Sequence, residues 1–462
     1  VAGRTEVSVE DNEFTDSNDA TQSKCVGILW LEGSGSFVGN VVQNQMFGAL
    51  LRGTASSVAS LSKNSLLKCN VGVGVMNCAQ RIAVRDNIFD GCSTGIHAVG
   101  VKVTDRLAVV GKNAIRDCAF AIDIADEASP LLDGFVVANN EVGLRFSHCG
   151  GVLRSGVVLR NNVGVVIEDA SPTLSCEHKG QGDALVQDET VEIKDISGIQ
   201  IVENRDCGVS ISGHLSHPAL ARLSFRANCC GLRVTQRSRP TLEHCAFHTS
   251  TNNSIIVCDA APEFTECEIV DNASDSFAVR VESGCPKFRS CYFGRNTGGI
   301  CLESGDKVDI IASKFESNAT ALLVQSKTQR VDVGALIEDH AADETQQTEK
   351  DHERTGKVGY TNPETLQSFV AFAHAPAQNR RILFENNECA ILIDAAVAVS
   401  IQGCDFQRNS VCVTRSSSHG TTNIVANTFV GGETALKFSN LAALKACNNL
   451  FVGQSRTLAR LP

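Results

Sequence analysis

Apolar and polar positions in this chain follow no helical stripe; they form short alternating runs that return at a fixed interval. An apolar residue is followed three positions on by Asn or Cys, then by Gly or Ala leading an apolar-x-apolar run. Phe225-Arg-Ala-Asn228-Cys-Cys-Gly231-Leu232-Arg-Val234 shows the unit, as do Phe293 to Leu302 and Phe315 to Val324. The phase positions are Leu66, Phe89, Ile115, Val136, Val158, Ile201, Phe225, Phe247, Ile269, Phe293 and Phe315. They resume at Phe384, Phe406, Phe429 and Phe451, and Phe14 and Val42 extend them backwards. A Pro-led run precedes many units, as in Pro172-Thr-Leu174, Pro240-Thr-Leu242, Pro262-Glu-Phe264 and Pro286-Lys-Phe288.

Each period therefore holds three strand-like runs, Pro-led, phase and Gly-led, with no helical half. That excludes helical solenoids and leucine-rich repeats. Three parallel sheets wound as a coil fit, each strand bonding to its equivalent one turn away, ~4.8 Å along the axis. Two side-chain ladders follow. Three residues after the phase position come Cys69, Cys92 and Cys118, then Asn139, Asn161, Asn204, Asn228, Asn272, Asn296, Asn318, Asn387 and Asn409. Two residues before it come Asn12, Asn40, Asn64, Asn87 and Asn113, later Cys245, Cys267, Cys291 and Cys404. Asn at a tight turn tolerates left-handed geometry and can bond its stacked copy. Cys packs there as a small apolar group.

These repeats resemble the right-handed parallel β-helix family, which includes pectate lyases, polygalacturonases and phage tailspikes. The Pro-x-apolar-x-x-Cys runs and Asn units are most similar to its intracellular eukaryotic branch, seen in F-box substrate receptors and SHC-SH2-binding scaffold proteins. The resemblance covers roughly residues 5–325 and 380–455. It implies an all-β, right-handed coil of about 17–18 turns, ~80–90 Å long by the strand spacing.

Two stretches break the period. Residues 177–197 are acidic and lack the ladder Asn. Residues 326–380 read as an insertion between coil segments 1–325 and 381–462. In it, Glu338, Asp339, Asp343 and Glu344 belong to an acidic loop, and Asn362-Pro363 is a helix-start signal. Leu366, Phe369, Val370 and Phe372 then give a helical stripe over about 363–375, a candidate docking element for a partner protein.

Composition narrows the function. The 52 acidic against 41 basic residues give a net charge of −11, which disfavours general nucleic-acid binding. No run approaches the ~18 apolar residues of a membrane span. The chain opens at Val1 without an initiator Met, which suggests a fragment of a longer protein. Its 20 cysteines include no CxxC, so buried free thiols in a reducing cytoplasm are expected rather than a zinc site or disulfide scaffold.

The family's enzymes imply motifs that are missing here: there is no Asp-Asp, no Gly-His-Gly and no calcium-site carboxylate cluster. One Trp and two Tyr leave little for sugar stacking. The best acidic pair is Glu282 and Glu303, each just after a Gly-led run, near the spacing of a retaining glycosidase if they lie on adjacent turns. Asp271 and Arg295 are expected to form a cross-turn ion pair. His244 and His248 lack further ligands for a metal. The expectation is a non-enzymatic scaffold binding other proteins, without cofactor, metal, nucleic acid, membrane or small-molecule substrate. The resemblance suggests a cytoskeletal or ciliary setting, with a carbohydrate-active lyase or hydrolase, or part of a ubiquitin ligase, as alternatives.

Overall fold

The computed structural model describes residues 6–16, 24–31, 34–52, 58–78, 81–101, 107–176, 198–273, 275–303, 308–325, 331–333, 381–439 and 443–461. The segment 177–197, the acidic loop and the helix expected at 363–375 lie outside them. Every strand pairing among the described residues is parallel, and strands pair with their equivalents on the turns before and after. The three runs become three ladders, and the Gly-led one alone stacks seventeen strands from Val26–Trp30 to Arg456–Leu461. The architecture is an all-β parallel solenoid.

The phase ladder forms the spine of the core. Phe14, Val42, Leu66, Phe89 and Ile115 are successive partners, and so are Val158, Ile201, Phe225, Phe247, Ile269, Phe293 and Phe315. Phe315 then pairs with Phe384 across residues 316–383, so the coil continues in register past that stretch. The phenylalanine rings stack face to face at 4.5–5.0 Å from Phe293 through Phe451. Within the segment read as an insertion, Val331–Val333 adds a strand beside Val399–Gln402.

One phase assignment is wrong by one residue. Ile115 pairs with Val137, not Val136, and the ladder Asn of that turn is Asn140, not Asn139. Here the Pro-led and phase runs fuse into one strand, Leu131–Ala138, whose register shifts around Asp133. Alternation through Phe135-Val136-Val137 is then ambiguous, and a one-residue slip exchanges the two faces.

The Asn ladders work through side-chain amides, not left-handed backbone. Along the run from Asn12 to Asn113 the main-chain N–H and Nδ2–H of each Asn donate to the side-chain oxygen of the Asn one turn later, at 3.0–3.1 Å. The second ladder does the same from Asn140 to Asn228 and from Asn272 to Asn409, at 2.8–3.2 Å. Positive φ belongs to the residue before the Asn, for example Arg160 and Glu203, both at 53°. That residue makes the corner, and Asn satisfies the main chain behind it. Cys69, Cys92, Cys118, Cys245, Cys267 and Cys291 take the corner positions that lack Asn, and all are buried.

The second residue of most Gly-led strands is small, as at Gly72, Gly95, Ala121 and Gly231. A Cβ on Gly72 would lie 2.5 Å from the carbonyl oxygen of Gly95 one turn on. This close approach gives the turn its cross-section and leaves the following residues alternating in and out of the coil.

Candidate functional site

Glu282 and Glu303 do fall on neighbouring turns, directly after the register pair Val281 and Leu302. Both reach one guanidinium: Arg280 Nε lies 2.9 Å from Glu303 and 3.5 Å from Glu282, and Nη2 donates to Glu303 at 3.0 Å. The Glu303 hydrogen bond, outweighing partial burial, raises the Arg280 pKa. The two carboxylates are ion-pair partners of one cation.

Other expected pairs also form. Arg295 clasps Asp271 at 2.7 and 2.8 Å. His244 lies 3.2 Å from Glu266 at a corner with φ of 52°, off the strand that carries His248, so the two imidazoles share no face. Among the described residues no three His, Cys, Asp or Glu side chains converge as metal ligands. Leu366, Phe369, Val370, Phe372, Glu338, Asp339, Asp343 and Glu344 lie outside the described residues.

A cluster not anticipated from the sequence sits on the outward face of the Gly-led ladder. His97, Asp123 and Arg145 are register partners on three successive turns. Asp123 is only 4% exposed. His97 Nδ1 lies 3.0 Å from its Oδ2, while Arg145 Nε and Nη2 donate to Oδ1 and Oδ2 at 2.7 and 2.9 Å. The guanidinium rests over the Phe120 ring, 4.4 Å from its centre, a cation–π contact that orients it. Nδ1 is the ring nitrogen that faces the Asp123 carboxylate. Elsewhere this row carries Leu29, Leu50, Val166, Ile256 and Leu323, so the buried carboxylate is not a requirement of the coil.

Burial pushes the Asp123 carboxyl up, but hydrogen bonds from His97 and Arg145 outweigh it and hold it below the usual range. A carboxyl depressed by folding stabilises the fold above its unfolded pKa and loses that contribution as pH falls through the folded value. Asp123→Asn is therefore expected to cost about 1–3 kcal/mol at pH 7. The gap should close below about pH 4. Urea midpoints at pH 7 and pH 3 read it, and an equal gap at both would remove the electrostatic account.

Two family models match the chain. Residues 189–335 match the right handed beta helix region. Residues 2–171 match the model described as periplasmic copper-binding protein (NosD). The fold is a parallel β-helix. The matches support that part of the resemblance and not its F-box or SHC-SH2-binding branch. No curated protein matches the chain.

Copper, which the second description names, favours convergent thiolate, thioether or imidazole donors. In the matched segment Cys69, Cys92 and Cys118 stack one per turn in the interior, each against the next, and among the described residues no three His, Cys, Asp or Glu converge. The Cys92 thiol is pushed up to about 12, by its bond to Cys118 and by burial. His97 offers one imidazole nitrogen. These residues do not fit a copper centre.

Proposed function

We propose that the protein is a rigid β-helical rod that binds other proteins and carries out no chemistry of its own. The observation behind this reading is the state of its charged groups. Asp123 is held by Arg145, Asp206 by Arg233 and Glu303 by Arg280, while Glu316 and Glu385 are both held by Lys314. Among the described residues these side chains are engaged in ion pairs, most of them across turns, and shape a surface. Exposed apolar groups stand at one end of the Gly-led face, where Leu29 and Leu31 are each more than half exposed. Cytoskeletal, ciliary and ubiquitin-ligase settings draw only on the family resemblance, and the sequence-level docking segment 338–375 remains a candidate on sequence grounds alone.

The test pairs binding with catalysis. Leu29→Glu combined with Leu31→Glu should leave the circular dichroism unchanged and weaken capture of partners identified with the parent rod by at least tenfold. Polysaccharide and polyuronate panels should show no cleavage. Cleavage abolished by His97→Gln would replace this reading with a hydrolase or lyase centred on the His97–Asp123 dyad, the observation that favours that second reading.

The compartment divides the support. Twenty free thiols favour a reducing cytoplasm, and the word periplasmic in the NosD description runs against it. Cell fractionation decides between them.

A further inference from the structure

Most neighbouring cysteines lie in interior columns, but one pair stacks in the first row of the Gly-led ladder. Cys207 and Cys230 are register partners on successive turns. Elsewhere this row holds partly exposed residues such as Val163 and Phe277. Both thiols are covered and donate to carbonyls two residues ahead, Cys207 to Val209 at 3.1 Å and Cys230 to Leu232 at 3.4 Å. Beside them lies the Arg233 guanidinium, held by Asp206 at 3.1 and 3.2 Å, but the bond to Cys230 and burial outweigh its charge and push the Cys207 thiol above its usual range.

We propose that Cys207 and Cys230 are a reversible dithiol–disulfide pair, oxidised by low-molecular-weight disulfides. Adjacent Cα atoms in a parallel ladder are ~4.8 Å apart, within the ~4.4–6.8 Å that a disulfide spans. Parallel Cβ directions keep the Cβ atoms near that same spacing, wider than the ~3.5–4.5 Å of a relaxed bridge. The resulting bond is tight and easily reduced, the property of regulatory disulfides rather than structural ones. One thiol gives up its proton as it attacks the reagent disulfide, forming a mixed disulfide and releasing the first reagent half as a thiol. The second protein thiol then displaces the other reagent half in the same way. Two protein thiols lose two electrons and two protons, and one reagent disulfide becomes two thiols.

The interior columns compete poorly. Cys69, Cys92 and Cys118, and likewise Cys245, Cys267 and Cys291, face the core at the corners, and each column holds three cysteines. Any pair closed there leaves an odd thiol buried among hydrophobic neighbours. The pair also bears on location, because it stays open in a reducing compartment and closes in an oxidising one.

The experiment equilibrates the folded chain with oxidised glutathione, traps free thiols with N-ethylmaleimide and maps the digest. The expected result is loss of two of the 20 thiols and a peptide joining Cys207 to Cys230, reversed by dithiothreitol. Cys207→Ser and Cys230→Ser should each abolish the bridge and leave the other cysteine free or glutathionylated. All 20 thiols surviving, or a bridge mapped to Cys245–Cys267 instead, would overturn the proposal.

Discussion

Asn318→Ala is expected to lower unfolding stability by about 3–5 kcal/mol, far more than its few lost atoms would suggest. The Asn318 oxygen accepts from the main chain and side chain of Asn296 at 3.0 and 3.1 Å. Its Nδ2 donates to Phe293 O at 3.1 Å and to Asn387 Oδ1 at 3.0 Å. Truncation leaves those buried partners without water to replace them, and each orphaned group costs about 1–3 kcal/mol. The position also joins turns separated by 69 residues in sequence, so damage there unfastens the C-terminal coil from the rest. In a solenoid whose turns touch only their neighbours, hydrogen exchange should rise first in the turns around Phe315 and Phe384. Asn318→Asp should be worse than Ala at pH 7, since it buries an anion and loses both amide donors. Burial raises that introduced carboxyl, so acidification should return part of the loss. A urea midpoint for Asn318→Ala within 1 kcal/mol of the parent would mean that the ladder is ornamental.

The repeat is legible in the sequence because the physics of a parallel coil is local in register: whatever suits one turn suits the next. Phe293, Phe315, Phe384, Phe406, Phe429 and Phe451 announce a stack, and the stack is present. Failure came where that assumption lapses. The fused strand Leu131–Ala138 carries no turn between its Pro-led and phase parts, so nothing local marks which of Val136 and Val137 points inward. Asn tolerates left-handed geometry, yet the corner falls on its predecessor, where residues as different as Arg160 and Ala227 adopt it. The tight turn is imposed by the sheets on both sides rather than chosen by the residue.

The charged site was hidden by the same slip. His97 and Asp123 each stand eight residues past their phase positions, Phe89 and Ile115. Arg145 stands eight past Val137 but nine past Val136, so the shifted phase took it out of the column. Reading the offset down corrected turns aligns all three. Glu282 and Glu303 were found because they follow visible strand ends, but the cation between them, Arg280, lies within a strand and reads as an ordinary exposed residue. Cross-turn pairing is the part of the chemistry that a one-dimensional reading loses.

Arg415 escaped the sequence reading entirely, and its replacement is expected to have the other large effect. It is fully buried at an inward position, between Ile393 and Phe438 on the adjacent turns. Such a cation normally needs a carboxylate. Here Nη2 donates to Ala395 O at 2.6 Å, Val397 O at 2.9 Å and His419 O at 2.6 Å; Nη1 donates to Thr421 O at 3.2 Å and the Thr422 hydroxyl at 2.8 Å. The guanidinium fork thereby ties together the corner loops on two turns, replacing hydrogen bonds that those carbonyls cannot find elsewhere in the core. Arg415→Met keeps the apolar stem but orphans the acceptors, and should cost about 3–5 kcal/mol. Arg415→Lys offers one ammonium in place of a planar fork and should recover less than half of that loss. Gly420, at φ of 89°, leaves the space that the guanidinium occupies, so Gly420→Ala should destabilise in the same direction and add little to Arg415→Met. Thermal midpoints of the two single variants and the double variant test the coupling. Additive losses would place the two residues in separate roles, and an Arg415→Met midpoint equal to the parent would show that the carbonyls find other partners.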